Sequence, residues 1–162
     1  PIASRIEGVA RNLNRYPDRN AVKLRSGLAD FINSLSGTDF STENIWAANG
    51  SNEIIQSLFM AFGSRGALGF TPSYSMHPLI AKVIGVNWRD GGRRADFTLD
   101  TAKAIDEISQ VKPALTFITT PNNPTGTLLK IAEIELLAKA TYHRHQQLFQ
   151  KSPLFEPEKI EK

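Results

Sequence analysis

Apolar residues near the start of the chain recur every three or four positions, as on one face of a helix. The first series is Ile2, Ile6, Val9 and Leu13. Pro17 interrupts it, because proline pushes the preceding residue away from helical backbone angles. A second series, which should end at Gly37, is Leu24, Leu28, Phe31 and Leu35. Residues 1–40 therefore predict a helical segment.

After this segment, short apolar runs alternate with stretches of helical periodicity. The runs predict strands at 45–48, 67–70, 86–89 and 114–119. Helices are expected from Ile54, from Pro78, after the capping residue Asp100 and over 131–140. This alternation is typical of an α/β fold, in which helices cover both faces of a mostly parallel sheet.

Three polar loops follow predicted strands, at 49–53, 71–74 and 121–126. Ligands of parallel sheets bind at the carboxyl ends of the strands, so these loops are the candidates for a site. In the first loop, Gly50 permits a tight turn, and the amides of Ser51 and Asn52 at the helix start could bind a phosphate. A capped turn without a ligand explains the same residues.

The other two loops contain side chains suited to a flat, polar ligand. Tyr74 could stack on such a ligand, although an aromatic ring packed beside the sheet is the simpler interpretation. The stretch at 121–126 reads PNNPTG, in which two prolines and a glycine restrict the backbone around Asn122 and Asn123. A rigid loop of this kind suits an amide that must hold a ligand in one orientation.

Composition narrows the partners that we expect. Basic residues number 19 against 16 acidic ones and are scattered, whereas a nucleic-acid-binding surface concentrates them. The chain has no cysteine, and His143 and His145 would face different sides of a helix, so we expect no metal site. Neither a signal sequence nor an apolar run of about 20 residues is present, and we expect a cytoplasmic protein without a membrane partner.

These motifs, in this order, resemble those of fold-type-I aminotransferases, and in particular the histidinol-phosphate branch. The motifs that carry the resemblance are NRYPD (14–18), NIWAANGSNEII (44–55), GFTPSYSMH (69–77) and PNNPTG. The resemblance covers residues 2–141 and implies the large domain of a pyridoxal-5′-phosphate enzyme at 41–141, preceded by a helical arm at 1–40. Residues 142–162 depart from the family pattern, and we expect them to be irregular.

The resemblance also implies roles for individual residues. The amides of Ser51 and Asn52 would hold the cofactor phosphate, Tyr74 would stack on the pyridine ring, and Asn123 would bind its phenolic oxygen. Tyr16 would reach the cofactor of the partner subunit in a homodimer. Arg15 would contact an anionic substrate.

Two features of the family are absent from these 162 residues. One is the Schiff-base lysine in its Ser-Lys motif, and the other is the aspartate that pairs with the pyridine nitrogen. We therefore assign no catalytic residue and expect this chain alone to be inactive, as a truncated or frame-shifted reading frame would be.

The resemblance implies transfer of an amino group between L-histidinol phosphate and 2-oxoglutarate in histidine biosynthesis. An aromatic aminotransferase or a threonine-phosphate decarboxylase would carry similar loops. A non-catalytic binding or assembly module is a further alternative.

Overall fold

In the computed structural model, residues 2–10 and 13–150 are described, with 143–150 described by their backbone alone. The chain divides into two compact units, 1–49 and 50–162. The boundary that we expected from the sequence lay at 40/41. No helix in the described part of the chain is long and apolar enough to cross a membrane.

The first unit contains two helices, α1 (Ile2–Ala10) and α2 (Val22–Ser36). The Asp18 carboxylate accepts hydrogen bonds from the backbone of Asn20 and Val22, at 3.0 and 2.8 Å, and so orders the start of α2. As predicted, α2 ends at Gly37, whose φ of 63° lies in the left-handed region and whose N–H donates to the Asn33 carbonyl.

The apolar face predicted for α2 differs from the one that packs. Leu24, Phe31 and Leu35 are exposed, whereas Ala29 is buried and Ile32 is half-buried. The spacing of the apolar residues located the helix correctly, but it could not identify which side meets the rest of the unit.

The strand predicted at 45–48 does not form in the described part of the chain, where a 3-10 turn (Thr42–Asn44) leads into extended backbone. The Arg25 side chain binds this segment instead. Its Nε donates to the Ile45 carbonyl at 2.6 Å, and Nη2 donates to the Thr42 carbonyl at 2.7 Å. The Ile45 carbonyl therefore has a side-chain donor in place of the backbone donor that a neighbouring strand would supply.

The second unit is an α/β layer structure, which confirms the predicted fold class. Its elements are α3 (Ser51–Phe62), β1 (Ala67–Gly69), α4 (Met76–Ile84), β2 (Trp88–Asp90), α5 (Thr101–Val111), β3 (Leu115–Thr116) and α6 (Ile131–Gln150). The three described strands are parallel, in the order β2-β1-β3. As predicted, the Asp100 side chain caps α5, where it accepts the Lys103 N–H at 3.1 Å.

Helices cover both faces of this sheet. Alternate residues of a strand point to opposite faces, so neighbouring residues of β1 join different hydrophobic clusters. Ala67 joins a cluster with Phe59 of α3 and Ala81 of α4. The next residue, Leu68, joins the opposite cluster, which includes Ile108 of α5 and Leu137 of α6. The pairs α3/α4 and α5/α6 therefore cover separate faces, and β1 is buried on both sides.

The end of the chain differs from the expectation. The helix predicted over 131–140 extends to Gln150, so residues 142–150 are helical rather than irregular. Within this helix Leu137 is buried, whereas Ile131 is 76% exposed. Residues 151–162, and the side chains of His143 and His145, lie outside the part that the structure describes.

Gly69 is required by close packing between β1 and β2. A Cβ atom at this position would overlap the Trp88 indole. That ring is itself in contact with Phe59 and Phe117, at centroid distances of 6.5 and 5.9 Å, so it has little room to move.

We predict that Gly69→Ala lowers the free energy of unfolding by about 1–3 kcal/mol, the usual cost of overpacking a core. The matched control is Gly27→Ala on α2, where a Cβ meets no described atom within 4 Å. Alanine has the better helix propensity there, and the control should gain about 0.5–1 kcal/mol. Urea unfolding measures both, and an equally stable Gly69→Ala protein would contradict the packing argument.

Candidate functional site

The three loops selected from the sequence meet at the carboxyl edge of the sheet. One follows β1, one follows β3, and the third is the start of α3, which runs back toward β1. The Tyr74 hydroxyl donates to Asn52 Oδ1 at 3.1 Å, and the Asn122 amide donates to the Pro72 carbonyl at 3.0 Å. Hydrogen bonds therefore connect all three loops within the second unit.

The start of α3 has the backbone geometry of an anion site. Gly50 is the N-cap residue of α3, has a φ of 81° and makes no side-chain hydrogen bond to the helix. The first N–H groups of an α-helix have no partner within it, and they carry the positive end of the helix dipole. Ser51 and Asn52 are exposed, so their amides are accessible to a ligand, although the acidic Glu53 in the same turn opposes a second negative charge.

Tyr74 is half-buried, and its ring is held at two points. Its hydroxyl is bound to Asn52, and its ring meets His77 edge-on at 5.3 Å. His77 is buried against Trp88 and Phe117. Burial lowers the pKa of His77, which favours the neutral imidazole in this aromatic cluster.

The two asparagines of the PNNPTG loop have different environments. Asn123 is exposed, and its side chain makes no hydrogen bond to another described residue. Asn122 is only 2% exposed; its amide donates to the Pro72 carbonyl at 3.0 Å and to Thr125 Oγ1 at 2.7 Å. Asn122 therefore fastens the loop, while Asn123 is available for a ligand. The sequence indicated the pair without separating these roles.

Asp90, which was not among the residues predicted from the sequence, secures the loop after β1 from the side of β2. Its carboxylate accepts the Thr71 N–H and the Gly92 N–H, both at 2.9 Å, as well as the Thr71 hydroxyl. Partial burial alone would raise the pKa of Asp90, but these hydrogen bonds and the charge of Arg89 outweigh burial and lower it. Its place directly after a predicted strand was the available signal.

Arg15 and Tyr16 belong to the first unit, whereas the residues described above belong to the second. Both follow the turn after α1 and are exposed. Their predicted roles concern a substrate and a partner subunit, and those roles stay predictions.

Sequence comparison places this arrangement among known proteins. Residues 3–149 match the family described as "Aminotransferase class I and II". The histidinol-phosphate aminotransferase of Mycobacterium sp. (strain KMS) is 50% identical over 133 residues, which cover 81% of this chain and 35% of that protein. The chain thus spans a little over a third of the length of the curated relatives that it matches.

Comparison with solved structures agrees. The histidinol-phosphate aminotransferase from Clostridium acetobutylicum is 25% identical, with a TM-score of 0.69 over 88% of this chain and 40% of that one. The PLP-bound C-S lyase from Staphylococcus hominis has a TM-score of 0.74 over 88% of this chain and 38% of its own. At 16% identity, the lyase shows the shared fold alone.

We predict that protonation of Asp90 at low pH removes the stability that this carboxylate contributes by binding the loop after β1. Because its folded-state pKa is below the ordinary value of 3.8, Asp90 contributes stability above that value and loses it as the pH falls through the folded-state pKa. Asp90→Asn should therefore destabilise the protein at neutral pH, and the difference from wild type should shrink well below pH 3.8. Urea unfolding at both pH values measures this.

The control for this experiment is Asp106→Asn, which changes an exposed carboxylate on α5. A stability difference between Asp90→Asn and wild type that stays constant with pH would contradict the assignment.

Proposed function

The chain belongs to the class I and II aminotransferases, and from this premise we propose that its second unit supplies part of a pyridoxal-5′-phosphate site. The observation that carries the proposal is the hydrogen bond between Tyr74 and Asn52, at 3.1 Å. It places an aromatic ring beside the open start of α3, so that one ligand with a phosphate and a flat ring could meet both.

The residues present fit this cofactor in three respects. The α3 start offers backbone amides beside Gly50, which has no side chain and where a Cβ would meet no described atom within 4 Å. Tyr74 offers a ring held by its hydroxyl and its edge. Asn123 offers an exposed amide on a loop whose backbone is fastened by Asn122.

Each residue then has a distinct part in binding. The amides of Ser51 and Asn52 bind the phosphate dianion, which the helix dipole stabilises. Tyr74 contributes its ring face, because its hydroxyl proton is already donated to Asn52. The Asn123 amide donates to the phenolic oxygen, which stabilises negative charge on that atom and lowers its proton affinity.

When bound, the cofactor supplies an electron sink for bond cleavage at the amino-bearing carbon of a substrate. The residues of this chain bind and orient it. Contacts to its phosphate, to one ring face and to its phenolic oxygen would restrict the rotation of the cofactor, which is an entropic contribution to catalysis.

For the whole activity we propose amino transfer from L-histidinol phosphate to 2-oxoglutarate, in the cytoplasm. Support comes from the names and 47–50% identity of the curated relatives. In this proposal, Tyr16 reaches the cofactor phosphate of the partner subunit in a homodimer, and Arg15 contacts an anionic group of the substrate. Their exposure in the first unit is compatible with contacts to other molecules.

We expect the chain to bind one equivalent of pyridoxamine 5′-phosphate, which has no aldehyde to react with surface lysines. Inorganic phosphate should compete with it. Asn123→Ala removes one hydrogen bond to the ring and should weaken binding by about tenfold without changing the affinity for phosphate. Calorimetric titration measures both affinities.

The matched control is Gln110→Ala, which removes an exposed amide near the end of α5, at the other edge of the sheet. It should bind both ligands as wild type does. An Asn123→Ala protein that does the same would contradict the assignment of Asn123, and a wild-type chain that binds neither ligand would contradict the proposed site.

We also expect these 162 residues to bind the cofactor without turnover, because the lysine and the aspartate that the resemblance implies are not among them. A coupled assay with L-histidinol phosphate and 2-oxoglutarate checks this. Turnover above the background of free cofactor would show that another group of this chain performs the proton transfer.

A further inference from the structure

The loops after β1 and β3 are joined by an unbroken series of side-chain hydrogen bonds. Its members are Ser73, Thr119, Asn122, Thr125, Thr127 and the carbonyl of Phe97. Successive donor–acceptor distances are 2.8, 2.6, 2.7, 3.0 and 3.1 Å. Each hydroxyl group can donate or accept, so the distances alone do not show which member of each pair is the donor.

The Pro72 carbonyl settles the direction at one end. A carbonyl only accepts, so the atom of Asn122 that lies 3.0 Å from it must be the Nδ2 donor. Oδ1 of Asn122 then faces Thr119, whose only hydroxyl proton must be donated to it at 2.6 Å. Ser73 is left to donate its own proton to Thr119.

The Phe97 carbonyl settles the other end by the same reasoning. Thr127 must donate its hydroxyl proton to this carbonyl, at 3.1 Å. Thr125 must therefore donate to Thr127, at 3.0 Å, and accept from the Asn122 amide at 2.7 Å. Both ends give the same direction, from Ser73 through Asn122 to Phe97.

We propose that this one-way series positions Asn123 relative to Tyr74, and that Thr119 is its central positioning residue. Ser73 precedes Tyr74 and Asn122 precedes Asn123, so Thr119 links the neighbours of both ligand-facing side chains. The Thr119 hydroxyl donates its proton to Asn122 and accepts that of Ser73, so only a residue with a hydroxyl group at position 119 preserves both hydrogen bonds. The inference rests on the proposed function for the ligand-binding roles of Asn123 and Tyr74. The hydrogen-bond series that joins the two loops is independent of any ligand.

A consequence concerns Ser73. Because its proton is donated to Thr119, the Ser73 hydroxyl presents only lone pairs to a ligand. It cannot donate to a phosphate or carboxylate without breaking the series.

The test compares two threonine-to-valine substitutions three residues apart. Thr119→Val deletes a hydroxyl with two partners, whereas Thr116→Val deletes a buried hydroxyl that has no partner among the described residues. Thr119→Ser retains the hydroxyl, and Ser73→Ala breaks the series at its first member.

The first readout is amide hydrogen exchange of Asn122 and Gly126, whose N–H groups donate within the loop to Thr127 and Asn122. Thr119→Val should speed their exchange by about tenfold, as expected for a net loss of one or two hydrogen bonds. Ser73→Ala should change them in the same direction, and Thr119→Ser and Thr116→Val should match wild type. Equal exchange in Thr119→Val and wild type would overturn the inference.

The second readout is ligand affinity. Thr119→Val should weaken pyridoxamine 5′-phosphate by about tenfold and leave inorganic phosphate unchanged, because the phosphate site lies on α3. Equal losses for both ligands would indicate general damage and would overturn a positioning role. If wild type binds no pyridoxamine 5′-phosphate, the proposed function fails, and the exchange measurement still decides whether the series holds the loop.

Discussion

The site depends on the position of β1 between two parallel neighbours. Burial on both faces fixes this strand, and the three residues that start its exit loop are then held from either side. Asp90 from β2 binds Thr71, Asn122 binds the Pro72 carbonyl, and Thr119 accepts from Ser73. Tyr74 is the next residue, so its position depends on the hydrogen bonds that hold the three residues before it.

In this arrangement, the residues that hold the loops in place differ from the residues assigned to bind the ligand. Apart from the exposed Asp90, the residues that fasten the loops are buried or half-buried and use their polar atoms on one another, as unpaired buried polar groups are costly. Asn122 illustrates this, with its amide donating to two acceptors while 2% exposed. The residues assigned to the ligand lie one position further along the chain, where Asn123 is exposed. Adjacent residues can therefore have different roles, one in holding the loop and the next in contacting the proposed ligand, because consecutive side chains point in different directions.

The first unit makes a different contribution. Its helices expose apolar residues, and Arg25 uses its guanidinium to order the backbone between α2 and α3 rather than to bind a ligand. Arg15 and Tyr16, which the family resemblance implies for substrate and partner contacts, have no role that this unit alone would explain. In the proposed function Tyr16 contacts the cofactor of the partner subunit and Arg15 contacts the substrate, and both roles stay predictions.

The sequence alone determined the elements whose cause is local. Helical periodicity located α2, α5 and α6, and Gly37 and Asp100 marked helix ends. The alternation of short apolar runs with helical stretches indicated the fold class, and the order of the loop motifs indicated the family. Only the tertiary structure decided which helix faces are buried, that 45–48 does not pair as a strand in the described chain, and that α6 continues to Gln150. It alone distinguished Asn122 from Asn123 and revealed Asp90 and Thr119, because their roles depend on partners 19 to 50 residues away. Local spacing carries no information about such partners, which come together only when the strands pair.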